Sequence, residues 1–484
     1  MAKDKKKFYI TSSIAYTNAP AHIGFTQEVV QADVLARYHR LLGENVFYLT
    51  GTDEHGQKNV KAAKEAGKTP KEFVDEISKN FKSLKGILNL SNDDFIRTTD
   101  QKRHWPAVKK VWLKLKENDE IYKKKYKGLY CVGCEAFIKE KDLTDGKCPI
   151  HQKKPEVIEE ENYFFRLSKY QKEIEEIIKK EKIKIIPESR KNEILSFIKQ
   201  GVEDISCSRP REKLNWGIPV PDDKTQIVYI WMEALVNYIS ALGYAEDGAK
   251  FKQFWPADVH CVGKDIFKFH CLLWPAILLS IKIPLPKTVL IHGFITVGGQ
   301  KMSKSLGNVV DPFELVEKYG VDAVRYFLLR EIPSTKDGDF TYEKFKQRYN
   351  SDLANGIGNL VARVIKLAQD SQLSFSDKFS DKNFQKIIDK TKKDFKKALE
   401  EFKFNEALVS IWELISFCDK YIEQQKPWDN TNQKLKIKNQ IIISDLLVAI
   451  KNIAELLKPF LPQTSERIFE QLKDKKSIPL FPRV

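Results

Sequence analysis

Only seven cysteines occur in 484 residues. They are too few and too scattered for a disulfide framework, so a reducing compartment, the cytoplasm, is expected and any close group of thiols becomes a metal candidate. Long hydrophobic runs are also missing. No stretch approaches the ~20 apolar residues needed to span a bilayer, and the longest, residues 271 to 281, is interrupted by Ser280. We therefore expect no integral membrane segment. The basic start, with Lys5 to Lys7, lacks the apolar core of a secretion signal, because Thr11, Ser12, Ser13, Thr17 and Asn18 break the run where that core would lie, and it reads as a short basic tail. Internal repeats and long low-complexity tracts are absent as well, which removes repeat architectures. The sequence does hold an excess of positive charge, 82 Lys and Arg against 66 Asp and Glu for a formal net charge of +16. That excess suits a polyanionic partner such as nucleic acid, although a lysine-rich solvated surface produces it too. The length serves about three domains.

Residues 8 to 16 read as a buried strand, and from His22 the apolar residues Val29, Val30, Val34, Tyr38, Leu41 and Leu42 recur at helical spacing until Gly43. A second strand, residues 46 to 50, runs into Gly51-Thr52-Asp53-Glu54-His55-Gly56. Thr69-Pro70-Lys71-Glu72 then predicts a helix start with a capping box and Pro in its first turn. Alternating strands and helices imply a doubly wound parallel sheet. The alternation breaks near Asn118. Residues 119–224 are charge-dense and hold the one close cluster of Cys, which marks an insertion, and strand patterning returns at Gln226. Strands at 259–262 and 288–291 flank a helix through residues 269 to 279. Beyond about Asp339, long helical periodicity with Pro427 and Pro459 as breakers predicts a helical bundle.

Three groups of residues carry chemistry. His22-Ile23-Gly24-Phe25 sit at the mouth of a strand-to-helix loop, where free backbone N–H groups and a partial positive charge suit phosphates and Gly24 permits a flat ligand close to the backbone. Taken alone, a helix start with a chance His is the commoner origin of such a run. Gly299-Gln300-Lys301-Met302-Ser303-Lys304-Ser305 puts two Lys in a glycine-flanked loop that can swing ammonium groups onto a phosphate chain. Cys131, Cys134, Cys148 and His151 form a C-x2-C-x13-C-x2-H pattern, a complete tetrahedral shell for one structural Zn²⁺ with no open position. Cys207, Cys261, Cys271 and Cys418 read as core residues.

His22-Ile23-Gly24-Phe25 together with Lys301-Met302-Ser303-Lys304-Ser305 resembles the signature pair of class I aminoacyl-tRNA synthetases, and within them the methionyl-tRNA synthetase family. The likeness continues in order through Gly51 to Gly56, Trp231-Met232-Glu233-Ala234-Leu235, Gly263 to His270, and Lys426-Pro427-Trp428. Phe25 stands where the family usually has a second His, and Glu233 where it more often has Asp. The resemblance implies an α/β fold: a Rossmann-type parallel nucleotide-binding domain (8–118 and 225–338, the second half with the lysine loop), a zinc-knuckle insertion (119–224), and an all-α C-terminal anticodon-binding helical bundle (339–484).

It also implies roles. Asp53 would hold the α-ammonium of L-methionine, with Tyr16 near the same backbone, and Ile14, Trp231, Ala234, Leu235, Tyr238 and His270 would line the side-chain pocket. For any one of these aromatics alone, core packing is the commoner role. His22, Lys301 and Lys304 would be catalytic and, with Gly24 and Ser303, would bind ATP, which brings Mg²⁺. Asn359, Arg363 and Trp428 match the family's readers of the CAU anticodon, although read alone they fit a capped helix and a packed Trp. The implied partners are ATP, L-methionine and tRNA(Met), with no membrane, and the chain is expected to be a monomer. The implied activity is methionine–tRNA ligation. The rivals are a sister class I enzyme for leucine, valine, isoleucine or cysteine, and a non-catalytic tRNA-binding relative.

Overall fold

In a computed structural model the chain is described for residues 6–302, 306–371, 379–429 and 431–484, with the side chains of Ala136 and Lys141 left aside. It divides into two interleaved units, Met1–Ala21 with Leu42–Lys85 and Ser91–His292, and His22–Leu41 with Gly86–Leu90 and Gly293–Val484.

The first unit is built on a six-stranded, wholly parallel sheet. Its strands lie in the order Asp94–Arg97, Asn45–Asp53, Lys7–Tyr16, Val259–Gly263, Thr288–His292, Lys184–Ile186. Phe8 to Ser13 and Val46 to Asp53 are continuously buried, as a parallel sheet covered on both faces requires. The chain leaves the central strand Lys7–Tyr16 in one direction to Asn45–Asp53 and in the other to Val259–Gly263. That reversal is the topological switch point, and ligands of open α/β sheets bind at the carboxyl ends of the strands there. The expected doubly wound sheet is thus present. The predicted capping box also forms, with Thr69 N–H donating to Glu72 Oε2 at 3.0 Å and Glu72 N–H to Thr69 Oγ1 at 3.3 Å.

Residues 119–224 build a four-stranded antiparallel sheet around the long hairpin Ile121–Cys131 and Glu156–Phe165. They also return Lys184–Ile186 to the parallel sheet as its edge strand, beside Thr288–His292. A further three-stranded sheet joins Ser208–Pro210, Asp223–Val228 and Pro219–Val220.

The second unit is mainly helical. Helix Ile23–Leu41 belongs to it, along with the long helices Lys382–Glu400, Phe404–Gln425, Gln433–Leu457 and Pro462–Asp474. Each presents an apolar stripe: Phe404, Ala407, Leu408, Ile411, Leu414, Ile415, Cys418 and Ile422 are buried at helical spacing. A fully buried Arg325 ties this unit together. Its guanidinium donates to the carbonyls of Phe460 at 2.7 Å, Pro459 at 3.0 Å and Leu88 at 3.1 Å, and pairs with Asp33 at 2.8 Å. Asp33 also accepts from Arg37 Nε at 2.7 Å. Lys cannot reproduce this planar fork. Arg325→Ala is expected to lose about 3 to 5 kcal/mol, because a buried carboxylate and three carbonyls are left short of donors. Urea unfolding checks this, and a loss within about 1 kcal/mol would show that the network does not hold the unit.

Candidate active site

Strands Lys7–Tyr16 and Asn45–Asp53 end side by side at the switch point, with Tyr16 directly opposite Asp53. Both carry polar atoms with nothing to bond: Asp53 Oδ1 and the Tyr16 hydroxyl are buried without a hydrogen-bond partner among the described residues. Burial, reinforced by the neighbouring carboxylates of Glu233, Glu135 and Glu54, holds the Asp53 carboxyl well above the usual range. Burial, with Asp53 and Glu135 nearby, likewise raises the Tyr16 phenol. Two orphaned polar groups at one strand edge are costly unless a ligand completes them.

The backbone that carries Asp53 is clamped. Asn59 Nδ2 donates to the carbonyls of Asp53 at 3.1 Å and His55 at 2.8 Å. Trp216 Nε1 donates to the Glu54 carbonyl at 2.7 Å, and Arg97 grips the Glu54 carboxylate at 2.6 and 2.9 Å. His55 pairs with the buried Glu233 at 2.8 Å, which accounts for an acid beside Trp231 that the sequence left without a partner.

Beside these groups stands an aromatic wall. Trp231 meets Tyr16 edge-on at 6.1 Å and lies flat on Phe269, centroids 3.8 Å apart and planes 8° from parallel. Its indole N–H donates to the Cys134 carbonyl at 3.3 Å. Ala234 and Leu235 follow on the short helix Ile230–Ala234 and its cap, both buried. Tyr238 Oη bonds His270 Nε2 at 2.7 Å, and His270 Nδ1 lies 3.1 Å from the Ile266 carbonyl. His270 sits on a π-turn, Phe269–Leu273, an irregularity that often re-aims functional side chains. Behind Tyr238 lies His260, rings 4.2 Å apart, its Nδ1 2.8 Å from Thr11 Oγ1. Burial, with His270 nearby, holds that imidazole neutral, well below its usual pKa. Ile14 is half-buried on the central strand, against the backbone of Gly51. Tyr16, Trp231 and Phe269 open onto a cleft of about 1030 Å³.

Cys134, Cys148 and His151 line the same cleft. With Cys131 they place their ligand atoms within 4.8 Å of one another. The Cys134–Cys148 sulfurs are 3.6 Å apart and Cys134 Sγ is 3.3 Å from His151 Nδ1. A tetrahedron with bonds of about 2.3 Å has edges near 3.8 Å, so the residues fit a four-coordinate metal ion. The other cysteines, Cys207, Cys261, Cys271 and Cys418, are buried, in keeping with their reading as core residues.

In the second unit the signature motifs meet. Helix Ile23–Leu41 begins just after the exposed His22, and Ile23 N–H donates to the Val310 carbonyl at 3.2 Å, beyond the lysine loop. A Cβ on Gly24 would lie 2.9 Å from the His22 ring and 3.4 Å from Met302 Cε, so a side chain there would push the His22 ring aside. Gly24 N–H donates to His22 Nδ1 at 3.1 Å. Phe25 is half-buried and Lys301 exposed. Ser303 and Lys304 lie outside the described residues.

Asn359 and Arg363 share a face of helix Asn359–Asp370, the first exposed and the second half-buried. Arg363 pairs with Glu423 at 2.6 Å and lies 3.8 Å from Asp419. Burial pushes the Asp419 carboxyl up to about 6, Arg363 opposing and Glu423 reinforcing the shift. Trp428 follows helix Phe404–Gln425 past a left-handed Lys426 and is 50% exposed, which is not the burial of a core tryptophan.

Phe269, His260 and the His55–Glu233 pair escaped the sequence reading. Phe269 directly precedes His270 in sequence, which is a usable signal. The stacking of Phe269 on Trp231 depends on a contact 38 residues apart that no local pattern encodes.

Known proteins share this fold. A family model described as tRNA synthetases class I (M) matches residues 8–152 and 134–365, and one described as anticodon-binding domain of tRNA ligase matches residues 381–483. The methionine–tRNA ligase of Caldanaerobacter subterraneus subsp. tengcongensis is 45% identical over 475 residues, covering 97% of this chain and 74% of that protein. The Thermotoga maritima methionine–tRNA ligase is 42% identical over 480 residues, 96% and 75% of the two chains. The solved structure of Mycobacterium tuberculosis methionyl-tRNA synthetase in complex with methionyl-adenylate superposes with a TM-score of 0.94 at 34% identity, covering 99% of this chain and 100% of that one. With these matches spanning the parallel sheet, the cysteine cluster and the helical bundle, the chain belongs to the methionine–tRNA ligase family of class I aminoacyl-tRNA synthetases.

Proposed function

We propose that the chain joins methionine to its tRNA in the two steps of its family, and that its residues divide the labour between substrate positioning and charge stabilisation. In the first step a methionine carboxylate oxygen bonds to the α-phosphorus of ATP as the bond to the β-phosphate breaks, releasing pyrophosphate. In the second, a terminal ribose hydroxyl of the tRNA takes the methionyl group and AMP leaves. No protein nucleophile is required, so the protein contributes positioning and charge.

The observation that carries the reading is the unpartnered Asp53 carboxylate oxygen beside an aromatic wall. A ligand with one cationic end and one apolar, polarizable end satisfies both, and methionine is such a ligand. Its ammonium would sit on Asp53, with the Tyr16 hydroxyl on its backbone. Its thioether would lie among Ile14, Trp231, Ala234, Leu235, Tyr238 and His270, where sulfur–aromatic contacts contribute ~0.3–1.5 kcal/mol each. His22, Gly24, Lys301, Ser303 and Lys304 would hold the ATP, which arrives with Mg²⁺. Cys131, Cys134, Cys148 and His151 would bind one Zn²⁺, which supplies cross-links for the fold of the insertion. Asn359, Arg363 and Trp428 would read the anticodon. Seven cysteines, too few and scattered for a disulfide framework, suit the reducing cytoplasm, and no helix among the described residues is long and apolar enough to cross a membrane.

The activity is tested by ATP–pyrophosphate exchange with each of the twenty amino acids. Methionine alone should support rapid exchange; equal exchange with leucine or isoleucine would defeat the assignment.

Asp53→Asn should act in two opposite directions. Methionine loses its counter-ion, so its KM should rise a hundredfold or more, the equivalent of about 3 to 5 kcal/mol for a broken buried pair. The empty protein should become more stable near neutral pH. The folded-state pKa of Asp53 is raised, so its ionisation destabilises the fold from the unfolded carboxyl value of about 3.9 upward. Below that pH, wild type and variant should melt alike. A variant that is less stable at neutral pH would refute the account of Asp53.

Trp428→Ala should remove ~1–3 kcal/mol of tRNA recognition if the ring stacks on a base, leaving pyrophosphate exchange intact. Aminoacylation of tRNA with a CAU anticodon and with single-base changes decides it. Unaltered discrimination, with lowered stability, would assign Trp428 to packing.

A further inference from the structure

The metal-ligand loop touches the methionine site through one buried side chain that the proposed mechanism does not use. Glu135 follows Cys134, is 1% exposed, and adopts a left-handed backbone with φ 49°. One carboxylate oxygen accepts the Lys58 backbone N–H at 2.6 Å, in the first turn of helix Gln57–Glu65. The other accepts the Tyr130 hydroxyl at 2.5 Å. Arg209 lies 4.2 Å over the Tyr130 ring and pairs with Glu160 at 3.0 Å, so the Tyr130 partner is itself fixed. The Glu135 carbonyl accepts the Tyr229 hydroxyl, while the carbonyl one residue earlier, of Cys134, accepts the Trp231 indole N–H.

Two adjacent residues therefore hold both ends of the pocket. The carbonyls of Cys134 and Glu135 fix Tyr229 and Trp231, the apolar end. The Glu135 carboxylate fixes Lys58, directly after the turn Asp53 to Gly56 that carries the ammonium-binding acid. That turn is in contact with it: a Cβ on Gly56 would lie 3.0 Å from Glu135 Oε1. A carboxylate capping a helix start suits the exposed backbone N–H groups and the dipole there.

We infer that Glu135 is a positioning residue for methionine, setting the spacing between the Asp53 turn and the Trp231 indole. The inference rests on the reading of Asp53 and Trp231 as the two ends of the methionine pocket. Glu135 touches no substrate. Its removal lets the two ends drift, so the loss appears in methionine binding and spares the ATP machinery.

The test measures KM and kcat for methionine, and KM for ATP, in pyrophosphate exchange by wild type, Glu135→Ala, Glu135→Gln and Tyr229→Phe, with zinc content and thermal melting of each. For Glu135→Ala the KM for methionine should rise about tenfold or more with KM for ATP unchanged, a loss of ground-state positioning. Zinc should stay at the wild-type level, since no ligand is altered. Glu135→Gln keeps an acceptor for the Lys58 N–H and should recover most of the loss. Tyr229→Phe, which leaves the carboxylate untouched, should raise the KM for methionine by a smaller factor, and it carries the test should the alanine variant fail to fold. Unchanged KM for methionine in the folded variants overturns the inference, as does a loss that tracks zinc content or melting temperature, or one that glutamine does not recover. Absence of methionine-dependent exchange in the wild type would instead overturn the underlying reading of the pocket.

Discussion

A carboxylate oxygen with no donor among the described residues, held at the end of a buried parallel strand, is the constraint around which the first unit is arranged. Asp53 cannot relax toward water, because Val46 to Asp53 is continuously buried and its neighbour Lys7–Tyr16 is the central strand. The nearest charged groups make its ionisation harder, since Glu233, Glu135 and Glu54 are all acids. Each of those acids, however, is supplied with donors: Glu54 with Arg97, Glu233 with His55, Glu135 with Tyr130 and Lys58 N–H. Asp53 has an oxygen left over. Among these acids Asp53 alone keeps an oxygen without a partner, and an ammonium is the kind of group that we propose completes it.

The second unit treats buried charge in the opposite way. Arg325 and Asp33 are both fully buried, and the guanidinium fork is filled by Asp33 and by the carbonyls of Leu88, Pro459 and Phe460. Asp322, three residues earlier, accepts the Thr464 N–H at 2.6 Å at the start of helix Pro462–Asp474. The saturated Arg325–Asp33 pair specifies which helices neighbour which, whereas Asp322 keeps its Oδ1 buried without a partner among the described residues. Asp53 differs from the Arg325–Asp33 pair in its setting, because its partnerless oxygen stands at the carboxyl end of a strand at the switch point, opposite a Tyr16 hydroxyl that also lacks a partner among the described residues.

What was legible in the sequence was whatever depends on local spacing. The capping box at Thr69 and Glu72, the strand ending at Tyr16, the metal-ligand spacing from Cys131 to His151 and the helical stripes beyond Asp339 all arise from short-range patterns along the chain, whereas the second strand, expected over residues 46 to 50, runs on to Asp53. What was not legible depends on long-range adjacency. Lys184–Ile186 looks like an isolated short apolar run among charges, and only pairing with Thr288–His292, about a hundred residues later, makes it a sheet strand. His260 reads as a residue inside a strand, and its role behind Tyr238 exists because register places it opposite Thr11 on the central strand. Glu135 looks like one more surface acid in a charge-dense insertion, yet its left-handed backbone turns it inward.

That last residue bears on why an insertion rich in surface charge stays attached to a nucleotide-binding sheet. The long hairpin sets Lys125 against Glu161 and Lys127 against Glu159 across its strands, pairs that in solvent contribute only a few tenths of a kcal/mol each. They give the hairpin solubility and register but little hold on the rest of the unit. The hold comes from the buried ends Ile121 and Phe165, from the edge strand Lys184–Ile186, and from the tip, where four ligand atoms converge and where Cys134 and Glu135 present two carbonyls and a carboxylate to Trp231, Tyr229 and Lys58. A metal ion on those four atoms would cross-link the loop and hold it rigid over a few residues, so that its carbonyls would be fixed acceptors for the indole and the phenol. The contribution of the insertion thus lies in how firmly it places another residue's ring, and a four-ligand cluster with no open position can do that while bordering the cleft that Tyr16 and Trp231 line.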